Sequence, residues 1–188
     1  MTNNTSHLGD ALAYEAFLSV SWEQAGMVPD SVYFSRLNER NEEILQNILI
    51  LEKHHSDLSD DESDRYALEL AHIDFKINLV LDLMVQVFSK QLSLPPELFV
   101  SMSSSHLQWQ CEQEFPRGNN LFLDIYLSSR FPRPLTLFGK VSNIESNEEG
   151  GFSILLDFEQ ISRPVQDLLE RFIFMKHRRM IASSRRDT

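Results

Sequence analysis

A change of hydrophobic period at Leu94-Pro95-Pro96 constrains this chain more than any other feature. Before it, apolar residues return at alternating steps of three and four. After it, they return at every second position. The first rhythm lines one side of a helix and the second lines one face of a strand, so the chain encodes long helices followed by a sheet. The two prolines enforce the boundary, because proline lacks an amide donor and pushes the preceding residue out of the helical region.

On the N-terminal side, Phe17–Glu23 alternates apolar and polar residues ahead of Gly26 and Pro29, which reads as one short strand. Asp30 and Ser31 are helix-capping residues. From there to about His55, Phe34, Leu37, Ile44, Ile48 and Leu51 form a heptad seam, in which Asn41 is the polar exception. A polar seam residue commonly sets register and strand number, so Asn41 is expected to specify an assembly. The acidic, serine-rich segment Ser56–Asp64 reads as a solvated turn. The rhythm resumes from Arg65 to Gln91 at Tyr66, Leu70, Ile73, Ile77, Val80, Met84 and Val87, a helix of roughly 40 Å. Phe75, Leu79, Leu81, Leu83 and Phe88 add a second apolar stripe. A single hairpin partner cannot cover both stripes, which points to association between chains; packing of both faces within one monomer is the alternative.

Beyond the prolines, Phe99–Met102, His106–Cys111, Leu121–Leu127, Leu135–Ile144 and Phe152–Phe158 read as five short strands, a spacing that suggests a small antiparallel barrel. Pro164 suits the first turn of a last helix, whose apolar face is Val165, Leu168, Leu169, Phe172 and Ile173. Its tail is basic, with Lys176, Arg178, Arg179, Arg185 and Arg186.

Charge narrows the functional classes. The formal net charge is -11, and all of the excess lies in residues 1–97, with 17 acids against 6 bases; residues 98–188 hold 11 of each. Such a chain repels nucleic-acid phosphates and is not drawn to anionic membranes. Cys111 is the single cysteine, so no internal disulfide and no cysteine-based metal site forms within one chain, which fits a reducing compartment. The opening residues lack a basic leader and carry Asp10 and Glu15, unlike a secretion signal, and no apolar run approaches a membrane-spanning length. A soluble cytoplasmic protein without nucleic-acid or membrane partners is expected.

The order of elements, the strings Leu135-Thr136-Leu137-Phe138-Gly139-Lys140-Val141 and Leu169-Glu170-Arg171-Phe172-Ile173-Phe174 leading into His177-Arg178-Arg179, and the long helical insertion after one N-terminal strand resemble the atypical, tetramer-forming PilZ domains. The resemblance implies an α+β fold: a small antiparallel PilZ-like barrel with a two-helix coiled-coil insertion and a C-terminal helix. It divides the chain into residues 1–30 with the first barrel strand, an oligomerising hairpin over 31–94, and barrel plus helix over 95–188. It also implies a non-enzymatic regulatory or adaptor protein of cyclic di-GMP signalling, tetrameric through the 65–91 helix and in contact with signalling proteins.

Ordinary PilZ domains hold cyclic di-GMP with R-x-x-x-R and [DN]-x-S-x-x-G. The second motif aligns on Ser101-Met102-Ser103-Ser104-Ser105-His106, where Ser103 keeps the serine, Ser101 replaces the acid or amide, and His106 replaces the glycine. Histidine brings a Cβ and a ring to a position where glycine permits close approach. Arg36-Leu37-Asn38-Glu39-Arg40 matches the first motif literally but lies on the first helix. Cyclic di-GMP is therefore expected to bind weakly or not at all, with Ser103, Arg178 and Arg179 the candidate contacts for it or another anion, and no other cofactor. Arg117, Arg130, Arg133 and Arg163 are further cations of the barrel half.

Two other classes compete. Glu52-Lys53-His54-His55 and Glu69-Leu70-Ala71-His72 are Glu-x-x-His steps of the kind that build metal sites in helical-bundle enzymes, but they flank the acidic turn, and exposed turn residues are the simpler account. A purely structural oligomer differs from the adaptor only in lacking a regulated partner. Cys111 and His106 lie five apart in one strand and point to opposite faces, so they do not pair as nucleophile and base. No P-loop, G-x-G-x-x-G or G-x-S-x-G is present, and Trp22, Trp109 and the phenylalanines read as barrel core. Neither a catalytic residue nor a metal ligand is expected.

Overall fold

The computed structural model describes residues 13–54, 94–128, 131–146 and 151–184, together with positions 70, 73, 76, 77, 79, 80, 83 and 84. Several expectations fall outside these residues: the Ser56–Asp64 turn, Tyr66, Phe75, Leu81, Val87 and Phe88 of the second helix, His55, Glu69 and His72 of the Glu-x-x-His steps, and Arg130, Arg185 and Arg186.

Six strands form the sheet: β1 (Tyr14–Gln24), β2 (Glu97–Met102), β3 (His106–Cys111), β4 (Asn120–Tyr126), β5 (Leu135–Ser146) and β6 (Phe152–Phe158). They close into an antiparallel barrel in the order β1-β2-β3-β6-β5-β4. β1 makes the closure. Its first half pairs with β2, from Tyr14 opposite Met102 to Ser19 opposite Glu97, and its second half with β4, from Ser19 opposite Tyr126 to Gln24 opposite Leu121. This is why β1 begins three residues before the alternation visible in the sequence: Tyr14, Glu15 and Ala16 are held by ladder bonds rather than by burial alone.

The period of two places Val20, Val100, Met102, Leu107, Trp109, Leu121, Leu123, Ile125, Leu137, Ile154 and Leu156 in the barrel core. At Gly139 the barrel wall leaves no room for a side chain, since a Cβ there would strike Leu156 and the Asp157 carbonyl. The aromatic residues are not uniformly core, contrary to expectation. Trp109 and Phe115 are buried, but Phe17, Phe99 and Phe174 are exposed.

Two helices with described bounds pack on the barrel, α1 (Ser31–His54) and α2 (Arg163–Ser184). Asp30 caps α1, its carboxylate accepting from the Tyr33 amide at 2.9 Å. The expected apolar face of α2, Val165, Leu168, Leu169, Phe172 and Ile173, is buried. Phe34, Ile44, Leu45 and Ile48 of α1 are likewise buried within the chain.

Asn41 requires a correction. It was expected on a seam between chains, yet it is 2% exposed and bound to its own barrel, with Nδ2 donating to the Thr136 carbonyl at 2.7 Å and Oδ1 accepting from the Thr136 amide at 3.2 Å. Asn38, one turn earlier, donates to the Gln160 carbonyl at 2.8 Å and accepts from the Ser162 amide at 2.9 Å. Two asparagines thus dock α1 through backbone groups of β5 and the β6–α2 connection. The described positions between 70 and 84 are helical, and their apolar members are exposed in the single chain.

Candidate functional site

The β2–β3 turn carries the residues that align with the ligand motif. Ser103 is fully buried, and its hydroxyl accepts from the amides of Ser105 at 3.2 Å and His106 at 3.0 Å, so it shapes the turn itself. Ser101 is buried as well, with a hydroxyl lacking any partner. His106 opens β3 in extended conformation; among the described residues the non-glycine positive φ belongs to Gln160. Its ring spans two groups: Nδ1 lies 2.7 Å from the Ser105 hydroxyl and Nε2 lies 3.5 Å from the Asp157 carboxylate, which also accepts from Ser142 at 2.7 Å. The space a glycine would open is occupied by this hydrogen-bonded ring.

α2 passes beside the turn, where Ser104 donates to Glu170 at 3.1 Å. Arg178 lies two helical turns further on, roughly 12 Å along the axis. The fold therefore places the turn beside Glu170, whereas Arg178 and Arg179 lie further along the helix. Arg178 sits over the Phe174 ring, 5.9 Å from its centroid. Arg179 is bound to Glu52, its guanidinium donating both to the carboxylate and to the backbone carbonyl of that residue. Lys176 completes this cluster, donating to Glu52 at 2.8 Å and lying over Phe172.

Glu52 was expected as an exposed turn residue. It is 17% exposed instead, clasped at the end of α1 by two cations of α2. Burial alone would raise its pKa, but the hydrogen bond from Lys176 and the charges of Lys176 and Arg179 outweigh that and hold the carboxyl below its ordinary range. The Tyr14 hydroxyl, half-buried and near the Glu52 charge, is pushed up. No local pattern announces this clasp, because its members lie 124 and 127 positions apart. Among the described residues no cluster of three metal-ligating side chains occurs. Cys111 is half-buried and donates to the Gln113 carbonyl, with burial raising its thiol pKa. Among the described residues no helix is long and apolar enough to cross a membrane.

The closed six-stranded barrel flanked by α1 and α2 has a counterpart among solved structures. A pathogenic protein from Xanthomonas campestris, described as a tetrameric PilZ domain self-assembled via an unusual helical bundle, superposes with a TM-score of 0.71 at 21% identity, covering 93% of this chain and 92% of that one. The architecture is thus PilZ-like. The family described as atypical PilZ domain, cyclic di-GMP receptor, matches residues 45–186, and the chain belongs to it. Membership assigns it a regulatory, receptor-type role. Partial matches also occur to an inhibitor of motility from Bacillus subtilis (TM-score 0.38, 18% identity, 46% of this chain and 42% of that one). The PilZ domain of YcgR from Escherichia coli, solved with cyclic di-GMP, matches similarly (TM-score 0.37, 13% identity, 47% and 76%). The comparison with curated proteins gives no match.

Proposed function

We propose that this chain is a non-enzymatic adaptor of cyclic di-GMP signalling that works in the cytoplasm as a homotetramer, joined through the helix over residues 65–91, and acts mainly through protein contacts. One observation carries the assembly. Leu70, Ile73, Ile77, Val80 and Met84, the described members of the seam, are 50–65% exposed in the single chain, as are Leu79 and Leu83 at about half. A row of this length left in water is a large unfavourable surface, and a second copy of the same helix removes it. The Xanthomonas protein's described helical bundle supports that reading.

The ligand turn supports weak cyclic di-GMP binding. Contact with Ser103 requires reopening a turn that its own hydroxyl closes, and recruitment of Arg179 requires breaking its bonds to Glu52. Arg178 and Arg179 are the cations we assign to any bound anion. Calorimetric titration tests this: affinity is expected to be at least about a hundredfold below that of a domain with both motifs intact, about 2.8 kcal/mol. Submicromolar binding overturns the weak-ligand reading, and a monomer in light scattering overturns the tetramer.

A further inference from the structure

We propose that the groove between α1 and the outer face of β1 and β4 docks a segment of a partner protein that presents an arginine or lysine beside apolar side chains. The proposal rests on the adaptor reading and gives it an address. The groove measures ≈ 690 Å³, within the size range of ligand-binding clefts.

Its floor follows from strand register. Ser21 lies opposite Asp124, Asp124 opposite Thr136, and Glu23 opposite Phe122. These alternate with the buried Leu121 and Leu123 and so face outward. Its wall is a single stripe of α1, Tyr33, Leu37 and Arg40, at spacings of four and three. Two carboxylates therefore face one guanidinium, and among the described residues neither Glu23 nor Asp124 makes an ion pair. Thr136 donates to Asp124 Oδ1, which orients the carboxylate and leaves Oδ2 for an incoming donor.

The rim is apolar. Met27 and Tyr33, which line the groove, are 84% and 46% exposed. An acidic floor beside an apolar rim disfavours a phosphate ligand and selects a basic partner, and the net charge of -11 draws such a partner from a distance. Barrel closure also removes free strand edges, so recognition by strand addition is closed and side-chain recognition remains. An arginine suits the floor best, since its fork can engage Asp124 while its plane stacks on Tyr33 or Phe122.

The test uses the full-length chain, immobilised to select from a random phage-displayed peptide library. The selected peptides are then synthesised with a fluorescent label and titrated by anisotropy. We expect them to carry arginine or lysine next to an apolar residue and to bind more weakly as salt rises. Asp124→Asn and Tyr33→Ala are each expected to lower affinity roughly tenfold. Because Asp124→Asn also alters the Thr136 bond, Glu23→Gln, at an exposed position, serves as a second variant and is expected to weaken binding in the same direction. Hydrogen exchange with bound peptide is expected to slow over β1, the β1–α1 connection and β4. Peptides without basic residues, or unchanged affinity in all three variants, overturn the proposal. Protection confined to another surface overturns the groove while leaving the adaptor reading intact; no enriched peptide together with submicromolar cyclic di-GMP binding overturns both.

Discussion

In α1, the residues Phe34, Ile44 and Ile48 that follow the heptad rhythm are buried against the chain's own barrel and α2, whereas Leu70, Ile73, Ile77, Val80 and Met84, in the same rhythm, are exposed. The two stretches look alike as sequence. They differ in what lies beside them. α1 is docked by Asn38 and Asn41 onto backbone groups of the barrel half, and its end is clasped by Lys176 and Arg179. Periodicity thus states that a face must be covered, and it does not name the cover.

The two stretches differ most strongly at their apolar positions. Ile48→Asp buries an unpaired carboxylate in the core of one chain and is expected to cost on the order of 4 kcal/mol or more, with loss of the folded barrel in chemical denaturation. Ile77→Asp with Val80→Asp is expected to leave the near-ultraviolet circular dichroism of the barrel in place while lowering the mass seen by light scattering. A double variant that unfolds the barrel would mean that the second stretch, too, is covered from within the chain.

A smaller loss of stability is expected at Asn41. Asn41→Ala leaves the Thr136 amide and carbonyl without their partner, for an expected loss of about 2–3 kcal/mol in denaturant midpoint analysis and no change in assembly. Altered stoichiometry in that variant would return Asn41 to an intersubunit role. The smallest effect concerns the clasp, where Glu52→Gln is expected to cost about 1–2 kcal/mol near neutral pH. The folded-state pKa of Glu52 is depressed, so its contribution is complete above the ordinary glutamate value of about 4.3 and is lost as pH falls through the lower, folded value. Denaturation series from neutral to acidic pH should therefore show the wild type and Glu52→Gln converging below about pH 4; parallel curves would show that the clasp carries no charge-dependent stability.

Much of the fold was legible. The bounds of β3 and β6, the apolar face of α2 and the start of α1 at Ser31 all follow from period and caps, since these are local restrictions on backbone and burial. The turn at Ser103 was legible for the same reason. The early start of β1 was not, because Glu15 is held by its ladder partner Ser101 rather than by an alternating pattern. The literal R-x-x-x-R at Arg36 and Arg40 drew attention to two arginines on one helix; the tertiary structure gives Arg40 a different setting, opposite carboxylates of β1 and β4.

By itself the sequence determined that strands follow Pro96, which face of α2 is buried and which positions of the ligand motif depart from the family pattern, because backbone geometry and the period of burial act within a few residues. Only the tertiary structure decided that Asn41 serves the monomer, that Glu52 meets Lys176 and Arg179, and that Glu23 and Asp124 share a groove with Tyr33 and Arg40. Those partners come from segments far apart along the chain, and electrostatic and hydrogen-bond energies depend on distance and burial, which no local pattern of residues records.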